Sequence, residues 1–126
     1  MALPYLRSGM IEQQRGRLDA ATTAYQRALT ADPQQATALN NLAGIHLERK
    51  QHLDEAETLA QRAVGLQPKA AQFQDTLGMV QRARGNLRAA ATTLQLAAKL
   101  APKDPMIQYH LGQALADAGD KPAARK

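Results

Sequence analysis

The sequence predicts an all-α protein built as a solenoid of helix-turn-helix repeats, and three observations support this fold class. Glycine, alanine, leucine and proline recur with one common period of 34 or 35 residues. Alanine and leucine dominate the apolar residues and only 3% of the chain is aromatic, which suits closely packed helices better than sheets. Within each period the apolar residues follow helical spacing. A single stacked domain of 126 residues follows from these patterns.

Four kinds of residue share the period, and this agreement identifies a repeat protein. The repeating markers are Gly9, Gly44, Gly78 and Gly112; Ala21, Ala56 and Ala90; Leu18, Leu53 and Leu87; and Pro33, Pro68 and Pro102. Because one repeat cannot bury its apolar face alone, neighbouring repeats must stack against each other.

The first repeat, over residues 2–35, predicts two helices joined by a tight turn. The first helix begins near Leu3 and ends at Gly16, where glycine can adopt the left-handed conformation without steric cost. The second begins near Leu18 and ends before Asp32-Pro33, because the residue before proline disfavours the helical region. The same pattern predicts a pair of helices in each later repeat.

The later repeats cover residues 37–70, 71–104 and 105–126, and they depart from the pattern in two places. The inner turn of the second repeat, residues 50–52, lacks glycine, which predicts a less tightly specified turn. The fourth repeat begins with Asp104 as a cap and Pro105 at the first helical position, but the chain stops at Lys126, barely one turn into its second helix. We therefore expect a fragment of a longer protein.

Composition narrows the possible classes of protein. The absence of cysteine excludes disulfides and thiolate metal sites. There is no run of about 18 apolar residues, so no membrane-spanning helix is predicted, and the first four residues lack the features of a signal peptide. A formal charge of +5 permits attraction to acidic partners without establishing it.

The repeated residues resemble the tetratricopeptide repeat, a helix-turn-helix unit of 34 residues. The resemblance covers essentially the whole chain and implies a right-handed superhelix whose first helices line a concave surface that binds other proteins. It is carried by Ser8-Gly9, Ala43-Gly44, Leu77-Gly78 and Leu111-Gly112, by Ala21, Ala56, Ala90 and Ala124, by Ala28, Ala63 and Ala97, and by Pro33, Pro68 and Pro102.

Two departures from the family qualify this resemblance. The bulky aromatic residue of the first helix is kept only as Tyr5, with Asn40, Gln74 and Gln108 at the matching positions, which predicts modest packing and no aromatic-lined site. Some members grip a C-terminal carboxylate with lysine, asparagine and arginine side chains. Because none of the matching positions is basic or asparagine, the sequence argues against that clamp. These positions are Leu6, Met10, Leu42, Gln72 and Thr76.

A narrower resemblance concerns the last two repeats. Residues 75–78 (DTLG) and 107–111 (IQYHL) are similar to the C-terminal repeats of large bacterial tetratricopeptide lipoproteins that accompany exosortase (PEP-CTERM) and exopolysaccharide loci. This resemblance implies a larger bacterial parent protein. The compartment remains open between the cytoplasm and the periplasm or envelope.

The outward positions of the first helices predict a partner-binding row on the concave face. Its amides, methionines and mixed charges suit an extended peptide or an amphipathic helix held in a groove. The alternative is that these residues are solvated or make contacts between repeats. The row comprises Met10, Gln13, Gln14, Asn41, Ile45, Glu48, Arg49, Gln72, Asp75, Met79, Arg82, Met106, Tyr109 and Gln113.

Two alternative functions follow from other patterns. Basic residues recur around the inner turns and could form a polyanion-binding edge for nucleic acid or acidic polysaccharide, although favourable contact with the negative ends of the first helices explains them as well. The incomplete fourth repeat could expose Ile107, Leu111 and Leu115 and allow self-association. The basic residues are Arg15, Arg17, Arg49, Lys50, Arg82, Arg84 and Arg88.

No pattern in the sequence predicts catalysis, a cofactor or a metal site. His46 and His52 flank one turn, while His110 lies two repeats away without a cluster of acidic ligands. Asp19, Asp54 and Glu55 sit where second helices begin, a position that favours acidic side chains for structural reasons. We therefore expect a protein-binding module and not an enzyme.

Overall fold

The computed structural model describes residues 2–119, and its regular structure is entirely helical. No strand occurs in this range, which confirms the all-α prediction. Successive helices pack against each other, and α3 also contacts α5, as α5 contacts α7. The helices are α1 (Leu3–Gln14), α2 (Leu18–Ala31), α3 (Ala36–Arg49), α4 (Leu53–Leu66), α5 (Ala71–Ala83), α6 (Leu87–Leu100) and α7 (Pro105–Gly119).

The core is a continuous layer of small and branched apolar side chains between successive helices. Ala21, Ala56 and Ala90, one from each complete repeat, have no exposed surface. Small side chains at these positions allow helix axes to approach closely, which explains the low aromatic content. The second helix predicted for the fourth repeat, which would contain Ala124, lies outside the described residues. None of the helices in residues 2–119 is long and apolar enough to cross a membrane.

The glycines in the middle of the first helices face different surroundings. A Cβ atom added at Gly9 would lie 2.5 Å from a ring carbon of Tyr25 in α2. A Cβ added at Gly44 would have nothing within 4 Å. Gly44 is only half-buried, and its neighbour Ala43, which is 0% exposed, holds the buried position on α3. Close approach of helices therefore requires glycine in the first repeat but not in the second.

The inner turns of the three complete repeats all contain left-handed backbone conformations, but different residue types adopt them. Gly16 and Gly85 have φ angles of 76° and 84° in the first and third repeats. In the second repeat, Lys50 and His52 occupy the left-handed region with φ angles of 55° and 52°. The turn without glycine therefore forms, but two L-residues adopt a conformation that they rarely populate.

The turns between repeats, each of which contains a proline, are stabilised by side chains that donate a hydrogen bond to the proline carbonyl oxygen. Gln74 Nε2 donates to Pro68 at 3.0 Å, and Gln108 Nε2 donates to Pro102 at 3.1 Å. Both glutamines occupy positions where the family carries its first-helix aromatic residue. A polar side chain at this position therefore satisfies a carbonyl group that would otherwise depend on water.

Candidate partner-binding face

The residues of the predicted row lie on α1, α3, α5 and α7 and differ in exposure. Exposed members can meet a partner directly, whereas the half-buried members are engaged by neighbouring side chains. The exposed members are Met10, Gln14, Glu48, Gln72, Met106 and Tyr109, and the half-buried members are Gln13, Asn41, Arg49, Asp75, Met79, Arg82 and Gln113.

Ile45 does not belong to this exposed row, contrary to the prediction from the sequence. Its side chain is 0% exposed and packs in the main apolar core. Ile45 lies seven residues after Ala38 and three after Leu42, which places all three on one helix face. Because Ala38 and Leu42 are also buried, that face of α3 points into the core and not toward a partner.

A buried tyrosine joins two members of the row across the first two repeats. The hydroxyl group of Tyr25 donates to Gln13 Oε1 at 2.6 Å and accepts from Asn41 Nδ2 at 3.2 Å. Burial raises the pKa of Tyr25 from its ordinary value of 10.0, although the bond to Asn41 opposes this effect. An open groove of about 280 Å³ lies beside this network, lined by Met10, Gln13, Gln14 and Asn41.

A carboxylate–imidazole contact links the third and fourth repeats. His110 Nδ1 lies 2.8 Å from Asp75 Oδ1 and 3.1 Å from Asp75 Oδ2. Both side chains are mostly covered, with 19% and 18% of their surface exposed. Burial raises the pKa of Asp75 above its ordinary value, with Asp104 adding to this effect and His110 opposing it. Asp75 therefore serves the contact between α5 and α7 and is not freely available to a partner.

A second contact joins the same two helices. Arg82 Nε donates to Asp117 Oδ2 at 2.5 Å, and both side chains are about one third exposed. The pair borders a groove of about 470 Å³ that Met79, Leu47 and Lys50 also line. Arg82 was among the residues predicted from the sequence, whereas Asp117 was not. Searching for opposite charges one repeat apart would have found it, since Asp117 follows Arg82 by 35 residues.

The basic residues around the inner turns are largely paired with carboxylates of this chain. Each such surface pair contributes about 0–1 kcal/mol to stability. The carboxylate also neutralises a positive charge that could otherwise attract a polyanion. Arg15, Lys50 and Arg88 are exposed. The pairs are Arg17 with Glu12 at 3.7 Å, Arg49 with Asp19 at 2.8 Å, Arg82 with Asp117 at 2.5 Å and Arg84 with Glu57 at 2.8 Å.

The apolar residues proposed for self-association are not all exposed. Ile107 is 2% exposed, so its predicted exposure is wrong. Leu111 is half-buried and packs against the cluster around Leu94. Only Leu115, with 44% exposure, matches the expected apolar surface. The stacking of α7 on α6 therefore covers most of the surface on which self-association depended.

Each of the three histidines contacts another side chain of this protein. The rings of His46 and His52 meet edge to face at a centroid distance of 5.4 Å, and His46 Nε2 lies 3.6 Å from Glu55 Oε2. Within residues 2–119, no group of three histidine, aspartate or glutamate side chains could hold a metal ion.

The architecture is a stack of helix-turn-helix units whose first helices carry a common face, and comparison with known proteins names the family. The profile of the family described as Tetratricopeptide repeat matches residues 6–71 and 76–126. The chain therefore belongs to the tetratricopeptide repeat (TPR) family, a fold that acts as a scaffold for protein interactions. No curated protein matches the chain significantly.

Solved structures share this architecture. A mutant of the Thermobaculum terrenum O-GlcNAc transferase is 31% identical with a TM-score of 0.86, over 90% of this chain but only 22% of the transferase chain. The first TPR domain of human RPAP3 is 24% identical with a TM-score of 0.83, over 96% of this chain and 98% of that domain. The first TPR of Spaghetti (RPAP3), bound to the HSP90 peptide SRMEEVD, is 22% identical with a TM-score of 0.83, over 90% and 89%. The two RPAP3 likenesses are evidence for the fold alone.

Proposed function

We propose that this chain is a non-enzymatic scaffold module of a larger bacterial protein that binds a peptide or helical segment of a partner along α1, α3, α5 and α7. The observation that carries the proposal is the groove between α1 and α3, which Met10, Gln13, Gln14 and Asn41 line without a charged group. Methionine adapts to irregular apolar surfaces, and amides offer both donors and acceptors. A neutral or amphipathic segment suits these contacts best.

The charges on the face support the same partner chemistry. Asp75 and Arg82 are already engaged by His110 and Asp117, so a partner would have to displace those contacts to use them. The similarly folded Spaghetti TPR is seen with the peptide SRMEEVD, which is acidic at its C-terminal end. The family's carboxylate-clamp positions here, including Leu6 and Met10, carry no positive charge, so we do not extend that ligand to this chain.

The proposal is tested with a probe peptide selected on the unmodified chain from a random dodecapeptide display library. Met10→Glu introduces a charge into the groove and should weaken peptide binding at least about tenfold, because burying a methionine side chain contributes about 1.5–3 kcal/mol. Leu96→Glu is the matched control. Leu96 lies on α6 and is 43% exposed, against 46% for Met10.

Fluorescence polarisation of the labelled peptide measures both affinities, and circular dichroism verifies that both variants remain helical. Failure to select any peptide would refute the proposal. Equal losses in the two variants would refute it as well, because binding would then not depend on the groove.

The polyanion and self-association alternatives have less support. Internal ion pairs account for several residues of the basic edge, including Arg49 and Arg84. The burial of Ile107 removes part of the surface proposed for self-association. A heparin column at low salt and light scattering test the two alternatives directly.

A further inference from the structure

We propose that the outer side of α1 is a second interaction surface, separate from the groove between α1 and α3, and that it binds an acidic amphipathic helix of a partner protein. Leu3, Arg7, Ile11 and Arg15 follow each other at intervals of four residues, so they lie on one side of the helix, and all four are exposed. Together with Pro4 they form a surface that we call the α1 end face. A groove of about 330 Å³ on this surface is lined by Leu3, Pro4, Arg7, Ser8 and Ile11.

The α1 end face occupies positions that the later repeats bury. Ile11 is 44% exposed and Pro4 is also exposed, whereas their counterparts in the later repeats are at most 8% exposed. This burial persists in the fourth repeat, for which residues 2–119 contain no second helix, and there α7 packs on α5 and α6. The preceding repeat therefore covers these positions. The counterparts are His46, Val80 and Ala114 for Ile11, and Leu39, Phe73 and Ile107 for Pro4.

Ion pairs between neighbouring repeats indicate the charge of a helix that fits the α1 end face. Arg49 at the end of α3 pairs with Asp19 of α2 at 2.8 Å, and Arg84 beyond α5 pairs with Glu57 of α4 at 2.8 Å. In both pairs the acidic residue belongs to the second helix of the preceding repeat. Arg15 is the counterpart of Arg84, and it forms no ion pair within residues 2–119.

These observations define the chemistry of the occupant. Continuity with the packing of the later repeats calls for a helix with small or branched apolar side chains on one side, as in α2, α4 and α6. The positive charges of Arg7 and Arg15 call for carboxylates on that same side. A helix antiparallel to α1 would bring acidic residues of its N-terminal half to Arg15, as α4 brings Glu57 to Arg84. A second copy of α1 fits less well, because two positively charged helices would then meet.

The probe for this surface is a synthetic peptide with the sequence of α4, residues 53–66, because α4 carries both the apolar side and the carboxylate. A hydrocarbon staple between positions 61 and 65, which are exposed in the protein, keeps the peptide helical. Fluorescence polarisation measures its binding to the whole chain. Ile11→Asp should weaken binding at least about tenfold, because an apolar contact is lost. Leu96→Asp, at a site with 43% exposure, is the matched control and should bind normally.

A charge exchange tests the contact with Arg15. Arg15→Glu should weaken binding of the α4 peptide about 3- to 10-fold, and a peptide with Glu57→Lys should bind this variant better than it binds the unmodified chain. Arg27→Glu reverses an exposed charge on α2 and changes the net charge equally, so its unchanged binding would exclude general electrostatic attraction. Circular dichroism verifies that every variant is helical. If Ile11→Asp does not fold, the charge exchange decides alone.

The outcomes separate this surface from the groove, because the assay needs no groove peptide and the two proposals can fail independently. Loss of binding in Ile11→Asp with recovery in the exchanged charge pair supports the α1 end face. Absence of binding to the unmodified chain, or equal binding to Ile11→Asp, overturns it. Light scattering that shows a dimer of the unmodified chain but a monomer of Ile11→Asp also overturns it, because a second copy would then occupy the surface.

Discussion

The imidazole ring of His110 faces both carboxylate oxygens of Asp75, at 2.8 and 3.1 Å, although the two residues are 35 positions apart. This separation is one repeat, so the contact joins equivalent helices of the third and fourth repeats. Arg82 and Asp117 form a second contact with the same separation and the opposite order of charge. The position of α7 on α5 is thus specified by two polar contacts besides the apolar core.

Asp75→Asn should change how stability depends on pH. Burial raises the pKa of Asp75 above its ordinary value of 3.8, with Asp104 adding to this effect and His110 opposing it. Just above pH 3.8 the folded chain therefore holds more protons than the unfolded chain, and stability falls as pH rises through the raised folded-state pKa. We expect the unfolding free energy of the unmodified chain, relative to Asp75→Asn, to decrease across this window.

Urea unfolding at a series of pH values, followed by circular dichroism, measures this difference. Asp54→Asn changes an exposed carboxylate on α4 and provides the control. A relative stability that rises with pH would contradict the prediction.

Gly9 and Gly44 should respond to alanine substitution in opposite directions. Gly9→Ala places a methyl group 2.5 Å from the buried Tyr25 ring and should destabilise the fold by about 1–3 kcal/mol. Gly44→Ala meets no atom within 4 Å and should stabilise by up to about 1 kcal/mol, because alanine favours helix over glycine. Chemical unfolding of both variants measures these changes. If both substitutions stabilised the fold, or both destabilised it, packing would not distinguish the two sites.

Lys50→Gly should stabilise the inner turn of the second repeat. Lys50 has a φ angle of 55°, a conformation that costs an L-residue about 1–2 kcal/mol and glycine little. The greater flexibility of glycine in the unfolded chain offsets part of this gain, so we expect about 0.5–1 kcal/mol. Gly85→Lys in the third repeat, where φ is 84°, should have the opposite effect. Thermal melts of the two variants test the pair, and a stabilising Gly85→Lys would refute the argument.

Gln74→Leu should cost more stability than Gln108→Leu. Both changes remove a hydrogen bond to a proline carbonyl oxygen. Gln74 is 5% exposed, so water takes the place of its amide group less readily, and we expect a cost of about 1–3 kcal/mol. Gln108 is exposed, and water can replace its side chain. Urea unfolding compares the variants, and equal costs would show that burial of this bond does not matter.

The fold could be predicted from the sequence because its determinants are local and periodic. Gly16 predicted the end of α1, Pro33 predicted the end of α2, and the recurring alanines predicted the helix contacts. The common period revealed the stacking of equivalent units. The structural role of Gln74 was not predicted, because glutamine stands there in place of the family's aromatic residue. Glutamine recurs six residues after Pro68 and Pro102, and this recurrence indicates a shared polar role.

The site was less predictable from the sequence, because only a small rotation about the helix axis separates the buried side of a first helix from the side that borders the groove. Ile45 lies only four residues after Asn41, yet its side chain enters the core while Asn41 borders the groove. The partnership of Asn41 with Tyr25 was also missed, since it depends on a second helix that meets the next repeat. Distances between repeats decide such contacts, and spacing within one helix does not reveal them.

The reach of the inter-repeat contacts has a consequence for the evolution of this gene. Within residues 2–119, the side-chain hydrogen bonds and ion pairs extend no further than 35 residues, as between Arg82 and Asp117. Duplication or loss of one whole unit would therefore disturb a single junction and leave every other junction intact. Insertion of one residue inside a helix would instead rotate everything after it away from both neighbours. The architecture tolerates changes in length that come in steps of about 34 residues and resists smaller ones.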